Sequence, residues 1–255
     1  MQSPLSRGAF LERVKAGDLT IGTFLGLASP LAAEVAAVAA ADWVLLDLEH
    51  GAGGEEQVGP TVVASGGYGV PTLVRVESGE RIRIGRVLDA GAAGVMIPRL
   101  SSAVEAAEAA SHFAYPALGD RGAATYNRSA AWGKDPNALE PKPKAACIIQ
   151  IETLGALAEV DSIAALPGVD ILFVGPLDLS FALGVPRDFA APSFQAALDA
   201  VLDAAKTHGK VAGILAADTA TGRQYVQRGF KFIAIGSDST LLAKAITDAV
   251  AEIKG

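Results

Sequence analysis

The stretch AACIIQIETLGALAEVDSIAALPGVDILFVGPLDLS, residues 145–180, contains the pattern that decides the fold. A short, continuous apolar run, 146–151, gives way to a segment with apolar residues at helical spacing, 154–166, and then to a second short apolar run, 171–174. Short runs buried on both faces and separated by a helix are what parallel βα units produce. The same alternation recurs along the chain, with further strands expected at 20–25, 43–48, 72–76, 94–98, 211–215 and 232–235. Helices are expected at 34–40, 81–89, 103–112, 193–208, 219–228 and 240–253, with a first near 6–16. Several end at glycine, as Gly209 and Gly229 do, in keeping with helix C-termini.

Eight strands fit a closed α/β (β/α)₈ TIM barrel, and 255 residues suit one such domain spanning 1–255. A doubly wound open sheet is the alternative, but it normally carries a glycine-rich phosphate turn after its first strand. Gly26-Leu-Ala-Ser-Pro30 does not resemble one.

Composition narrows the partners. With 51% hydrophobic residues the chain can bury a large core, yet its Ala and Val are dispersed, so no transmembrane helix is expected. Residues 1–10 lack the apolar stretch of a signal peptide, so a cytoplasmic location is expected. Cys147, the single cysteine, lies inside an apolar run, which leaves no internal disulfide and points to a core position. A net charge of −7 without a basic cluster argues against nucleic acid or an anionic membrane surface and for a small-molecule ligand.

Barrel enzymes carry their chemistry at the C-terminal strand ends. There the sequence places Asp47-Leu-Glu-His50, Arg75 and Glu77, Gln150-Ile-Glu152, Asp178, and Ser237 with Asp238. Gln150 and Glu152 are two apart on one strand and share a face. Glu152 and Asp178 come from adjacent strands with no cysteine or second histidine near, an oxygen-donor pair suited to Mg²⁺ or Mn²⁺. The alternative is that each caps a helix or pairs with an arginine. His50 follows a strand beside Asp47, which would set its tautomer and basicity as a general base; packing or capping is the alternative role. His112 and His208 sit at helix ends and read as surface positions. Arg75, within Leu-Val-Arg-Val, needs an anion: either a structural partner such as Glu77 or Glu49, or an oxyanion that it stabilises.

No lysine falls at a C-terminal strand end: Lys142, Lys144, Lys210 and Lys231 all precede strands. That disfavours an imine mechanism and favours a metal enolate. No Gly-x-Ser-x-Gly turn supports a serine hydrolase. The irregular stretch 119–144, with Arg121, Tyr126, Asn127, Arg128 and Trp132, starts from the face opposite the mouth, where it would act on a neighbouring subunit or serve as a surface or oligomer contact.

Taken in order, Asp42-Trp-Val-Leu-Leu-Asp-Leu-Glu-His50, Val74-Arg-Val76, Gly91-Ala-Ala-Gly-Val-Met-Ile-Pro98, Gln150-Ile-Glu-Thr153, Phe173-Val-Gly-Pro-Leu-Asp-Leu-Ser180 and Gly213-Ile-Leu215 resemble the HpcH/HpaI family of metal-dependent pyruvate aldolases over nearly the whole chain. The resemblance implies that Glu152 and Asp178 ligate a divalent ion (Mg²⁺, Mn²⁺ or Co²⁺) and that Gln150 and the backbone around Leu177 hold a 2-oxoacid. It further implies that Arg75 stabilises the transition state, that His50 acts as base, and that Asp89 raises the basicity of His50. Asp89 closes a helix at the wrong face of its own barrel, so it is expected to come from a neighbouring subunit of a homo-oligomer, commonly a hexamer. Leu48 and Leu177 depart from the usual pattern, standing where Gly and Ala are common. The expected activity is reversible cleavage of 4-hydroxy-2-oxoacids to pyruvate or hydroxypyruvate and an aldehyde. The rival readings are an acyl-CoA carbon–carbon lyase, a 2-oxoacid decarboxylase, and a non-catalytic metabolite-binding barrel.

Overall fold

A computed structural model describes residues 7–255. Strands β1 (Thr20–Leu25), β2 (Trp43–Asp47), β3 (Thr72–Arg75), β4 (Gly94–Ile97), β5 (Ala146–Ile151), β6 (Ile171–Val174), β7 (Val211–Ala216) and β8 (Phe232–Ser237) pair in parallel, each with the next. The pairing of β8 with β1 closes the expected barrel. Every expected strand is present, with ends within two residues of the reading above, because each apolar run is buried on both faces and cannot slip into solvent.

The helices are α1 (Arg7–Lys15), α2 (Pro30–Val38), α3 (Val58–Gly66), α4 (Arg81–Asp89), α5 (Ala103–Ser111), α6 (Leu154–Ala158), α7 (Val160–Ala165), α8 (Pro176–Ala182), α9 (Pro192–Thr207), α10 (Thr219–Arg228) and α11 (Asp238–Lys254). Two were not expected. α3 contains Gly59, Pro60 and Gly66 and has little helical propensity of its own; its buried Val58, Thr61 and Ser65 pack it in place. α8 is only seven residues long and starts at a proline. The helix expected over 154–166 breaks at Glu159 into α6 and α7. Of the expected first helix, residue 6 lies outside the described residues.

The core has two layers. Inside the barrel, Phe24, Trp43, Leu45, Met96, Phe173 and Phe232 pack together, and Phe10, Leu11 and Val14 of α1 belong to the same cluster. Trp43 stacks on Phe232 at 4.2 Å. Two glycines make that possible: a Cβ on Gly22 would lie 2.2 Å from the Trp43 ring, and one on Gly213 would lie 2.9 Å from both Phe173 and Phe232. The second layer, between strands and outer helices, holds Val44, Leu46, Val74, Val95, Cys147 and Leu172, all fully buried. Cys147 is thus the core residue expected.

The histidine reading needs a correction. His112 is only 5% exposed, because the chain after α5 folds back and sets Asp120 Oδ1 2.7 Å from its Nδ1. The stretch 119–144 lies against the barrel base: Arg121 Nη2 donates to Asp89 Oδ1 at the end of α4 at 2.7 Å. A short 3₁₀ turn at Arg128–Gly133 sits in the same stretch. No helix among the described residues is long and apolar enough to cross a membrane.

Candidate active site

The ends of β2 and β3 form one ionic unit. Arg75 is nearly buried, and it donates from Nε to Asp47 Oδ1 (2.9 Å) and from Nη2 to Asp47 Oδ2 (2.7 Å). Its Nη1 lies 3.0 Å from Glu49 Oε2, and its guanidinium rests over the Phe24 ring, 5.1 Å from the centroid. These contacts correct two expectations. Asp47 does not orient the His50 ring, since both its oxygens are engaged by Arg75; Oδ1 also accepts the backbone N–H groups of Glu49 and His50. Glu77 does not serve Arg75 either; its contact is with Arg83 at 3.9 Å. The carboxylate near the exposed His50 ring is Glu49, whose Oε2 lies 3.8 Å from Nε2.

Burial raises the pKa of Asp47, but hydrogen bonds and charge from Arg75 outweigh it and leave the carboxyl below its ordinary value. Glu49 goes the other way: burial pushes it up, and the opposing charge of Arg75 does not fully offset this. The guanidinium itself is held cationic. Burial disfavours its charge, but Asp47, Glu49 and Glu152 more than compensate.

Glu152 occupies the end of β5 and is 1% exposed. Its Oε1 accepts the backbone N–H of Arg99 at 2.9 Å, and its Oε2 accepts a short hydrogen bond from Gln150 Nε2. Burial is the main reason that its pKa rises to about 7; the Arg99 N–H opposes the rise, and the charges of Asp178 and Glu49 add to it. Among the described residues no ammonium or guanidinium lies within 4.0 Å of it. Gly175 makes this packing possible, since a Cβ there would stand 2.6 Å from both Gln150 Nε2 and Glu152 Oε2. Asp178 projects from the first turn of α8, where Arg99 Nη1 approaches its Oδ1 at 3.4 Å. Leu177 beside it is 47% exposed, and its first-turn N–H has no intrahelical acceptor. It borders a cleft of about 560 Å³ lined also by Phe189, Leu215, Tyr225 and Arg228.

The donor set suits a hard dication. Glu152 is a desolvated carboxylate with no cation against it, Asp178 adds a second, and Gln150 Oε1 is buried without a hydrogen-bond partner. No group of three or more His, Cys, Asp or Glu side chains that could hold a metal is formed among the described residues. Two carboxylates would therefore leave coordination positions to water or to a chelating substrate.

The barrel thus brings His50, Arg75, Gln150, Glu152, Leu177 and Asp178 to its mouth. It places Asp89 at the opposite end, bound to Arg121. Arg99 was missed by the sequence reading, although an arginine directly after Pro98 at the end of β4 satisfies the strand-end filter that selected the others. Its left-handed backbone, φ 62°, turns its N–H to Glu152.

An acidic, partly desolvated mouth with a fixed guanidinium on a (β/α)₈ barrel suits the chemistry of a metal-assisted carbon–carbon lyase. The comparisons with known proteins give the particular family. Residues 20–245 match the model of the HpcH/HpaI aldolase/citrate lyase family, and the chain belongs to it. It is 35% identical to a hydroxypyruvate/pyruvate aldolase of Pseudomonas aeruginosa, covering all of this chain and 95% of that one. It is 36% identical to a 4-hydroxy-2-oxo-heptane-1,7-dioate aldolase of Salmonella heidelberg, covering 93% and 91%. A solved HpcH/HpaI aldolase/citrate lyase family protein from Burkholderia cenocepacia superposes with a TM-score of 0.92 at 35% identity, covering 97% of this chain and all of that one. The chain is an aldolase, and the aldolases of its family generally depend on a divalent metal ion.

Proposed function

We propose that the enzyme cleaves 4-hydroxy-2-oxoacids reversibly to pyruvate or hydroxypyruvate and an aldehyde, with Mg²⁺, Mn²⁺ or Co²⁺ held by Glu152 and Asp178. The observation that carries this reading is Glu152, a buried carboxylate with no protein cation within 4.0 Å among the described residues, whose pKa rises to about 7 because the charge of Arg75 does not offset its burial. A bound ion supplies Lewis acidity toward the carboxylate and keto oxygens of the oxoacid. Gln150 and the backbone N–H of Leu177 position the oxoacid. Arg75, fixed by Asp47 and Glu49, presents a positive group to the oxygen on which negative charge develops, with no reorganisation needed. His50, exposed at the mouth, moves the proton: in condensation a ring nitrogen takes a proton from C3 of the oxoacid and passes it to the alkoxide that forms at C4, and in cleavage it takes the 4-hydroxyl proton and returns it to C3. The two named aldolases at 35% and 36% identity favour this chemistry over the acyl-CoA lyase, decarboxylase and non-catalytic readings.

The proposal includes a homo-oligomer, a hexamer, in which Asp89 of one subunit supports His50 of another. Its substrates, small water-soluble acids and aldehydes, suit the cytoplasm. The test is cleavage of 4-hydroxy-2-oxoacids before and after chelation, with Mg²⁺, Mn²⁺ or Co²⁺ then restored. Turnover should vanish with chelator and return with metal; activity that survives chelation, or covalent trapping by borohydride, contradicts it.

A further inference from the structure

Two arginines stand at the mouth, and they are held differently. Arg75 is nearly buried and makes contacts of 2.9, 2.7 and 3.0 Å with Asp47 and Glu49. The Arg99 side chain is 60% exposed, and among the described residues its guanidinium has one partner, Asp178 Oδ1, at 3.4 Å. The backbone beneath it is firmly fixed. Leu100 O accepts the Thr153 hydroxyl at 2.8 Å, Glu105 Oε2 accepts the N–H of Ser101 at 2.7 Å, and a Cβ on Gly155 would lie 2.1 Å from Ser101 O. A rigid turn thus carries a loosely held cation into an acidic cluster.

One residue therefore touches both carboxylates of the metal-binding pair. The Arg99 N–H reaches Glu152 Oε1 at 2.9 Å, and its side chain reaches Asp178. The first contact needs no side chain. Arg99 adopts φ 62°, a left-handed conformation that strains a residue with a Cβ and that glycine takes up freely. Glycine would make the same turn and offer the same N–H, so the turn does not account for an arginine. The guanidinium does. Glu152 and Asp178 come from different βα units and repel each other. Among the described residues, Arg99 is the one cationic side chain within 4.0 Å of either.

We propose that Arg99 is a placeholder cation: in the metal-free enzyme its guanidinium holds Asp178 beside Glu152, and it gives up Oδ1 when a divalent ion binds. The inference rests on the reading of Glu152 and Asp178 as metal ligands. Arg99 is suited to leave, because an exposed pair at 3.4 Å is weak and its released head stays in water. Arg75 is not, since its departure would strand two buried acids. A dication attracts a carboxylate more strongly than a monocation does, so the exchange runs toward metal without help from another residue. The site is thereby preorganised, yet set below the affinity its two acids could reach alone: each ion must displace the guanidinium and then tolerate its charge nearby. Arg99 acts through the ligands and is a positioning residue.

The test is calorimetric titration of Mn²⁺ into metal-stripped protein. It compares the parent chain with Arg99→Gly, which keeps the turn and its N–H, and with Arg99→Lys, which keeps the charge. Arg99→Gly should bind Mn²⁺ about three- to tenfold more tightly, the range set by a weak exposed ion pair plus the repulsion between guanidinium and dication. Arg99→Lys should return the affinity to that of the parent chain. A side chain that merely supported the loop would loosen the site on removal. Equal affinities, or weaker binding by Arg99→Gly, therefore overturn the placeholder and leave the metal reading standing. Tighter binding by both variants overturns it as well, because charge is then not the cause. A parent chain that takes up no Mn²⁺ overturns both readings, since nothing then displaces the guanidinium.

Discussion

The two ends of this barrel treat buried charge differently. At the base, Asp170 accepts the Cys147 N–H and faces Lys15 at 3.5 Å, Lys210 donates to the carbonyls of Leu166 and Val169, and Asp42 meets both Arg13 and the N–H of Ile21. Each of these charged groups is answered by a protein group. At the mouth only half the cluster is settled in this way. Asp47, Arg75 and Glu49 neutralise one another, but Glu152 has hydrogen-bond donors and no cation within 4.0 Å, and the Gln150 carbonyl has no hydrogen-bond partner. The polar satisfaction missing there is what a bound ion and an oxoacid would supply. Buried side-chain atoms without a hydrogen-bond partner also occur away from the mouth, at Thr20, Trp43, Thr61 and Arg121, so what marks the mouth is an unpartnered oxygen set beside a buried carboxylate with no cation within 4.0 Å.

That contrast breaks first at the groups that touch substrate. Replacing His50 by alanine should lower turnover on the order of 10²–10⁴-fold, the usual contribution of a positioned acid–base group, while metal affinity stays nearly constant. Calorimetric titration beside the cleavage assay checks it; unchanged turnover would return His50 to a surface role. Arg75→Ala should lower kcat on the order of 10²–10³-fold. Because it strands Asp47 and Glu49 without their cation, it should also destabilise the fold by about 3–5 kcal/mol, read by urea unfolding. A large rate loss with an unaltered unfolding midpoint would show that the two acids are satisfied in another way.

A smaller effect separates the two ends by pH. In metal-free protein Glu152 has a folded pKa of about 7 against an ordinary value of 4.5. A raised carboxyl favours folding in its protonated form, so its contribution is complete below pH 4.5 and is lost as pH rises through 7. The difference of 2.5 units corresponds to about 3 kcal/mol. Metal-free protein should therefore lose stability across that window, and Glu152→Gln should remove this slope. A slope that persists in the variant would assign it to another group. Metal should reverse the trend, since it competes with the same proton.

The smallest change is expected at the base. Asp89→Asn leaves the Arg121 guanidinium facing a neutral partner and should cost about 1–2 kcal/mol, seen as a modest drop in melting temperature. If Asp89 also supports His50 across a subunit contact, the pH profile of kcat/KM moves as well. Mixed oligomers of Asp89→Ala and Arg75→Ala chains then regain activity that neither has alone. A fall in melting temperature with neither kinetic effect confines Asp89 to its pair with Arg121.

The strand runs and the strand-end acids were legible because both follow local rules: a parallel strand buried on two faces is apolar throughout, and a barrel puts its polar exceptions at one end. The order of the eight strands, the core place of Cys147, and the meeting of Gln150, Glu152, Asp178, Arg75 and His50 at one mouth all follow from residue type and spacing. What sequence spacing could not supply was partnership. Asp47 lies three residues from His50 but gives its oxygens to Arg75, 28 positions away, because the β2–β3 register sets those two side by side. Arg99 reaches Glu152 only through a backbone bend after β4. His112 is buried because the chain beyond α5 returns over it, and α3 is helical because its neighbours hold it. The C-terminal segment shows the same division: its helical period is written in the sequence, whereas its failure to cover its own barrel appears only once β8 is seen to run into it without a turn. Local pattern fixes which residues are apolar, helical or chemically able; the closing of the barrel decides which of them touch, since contact depends on strand register and chain direction that no single segment encodes.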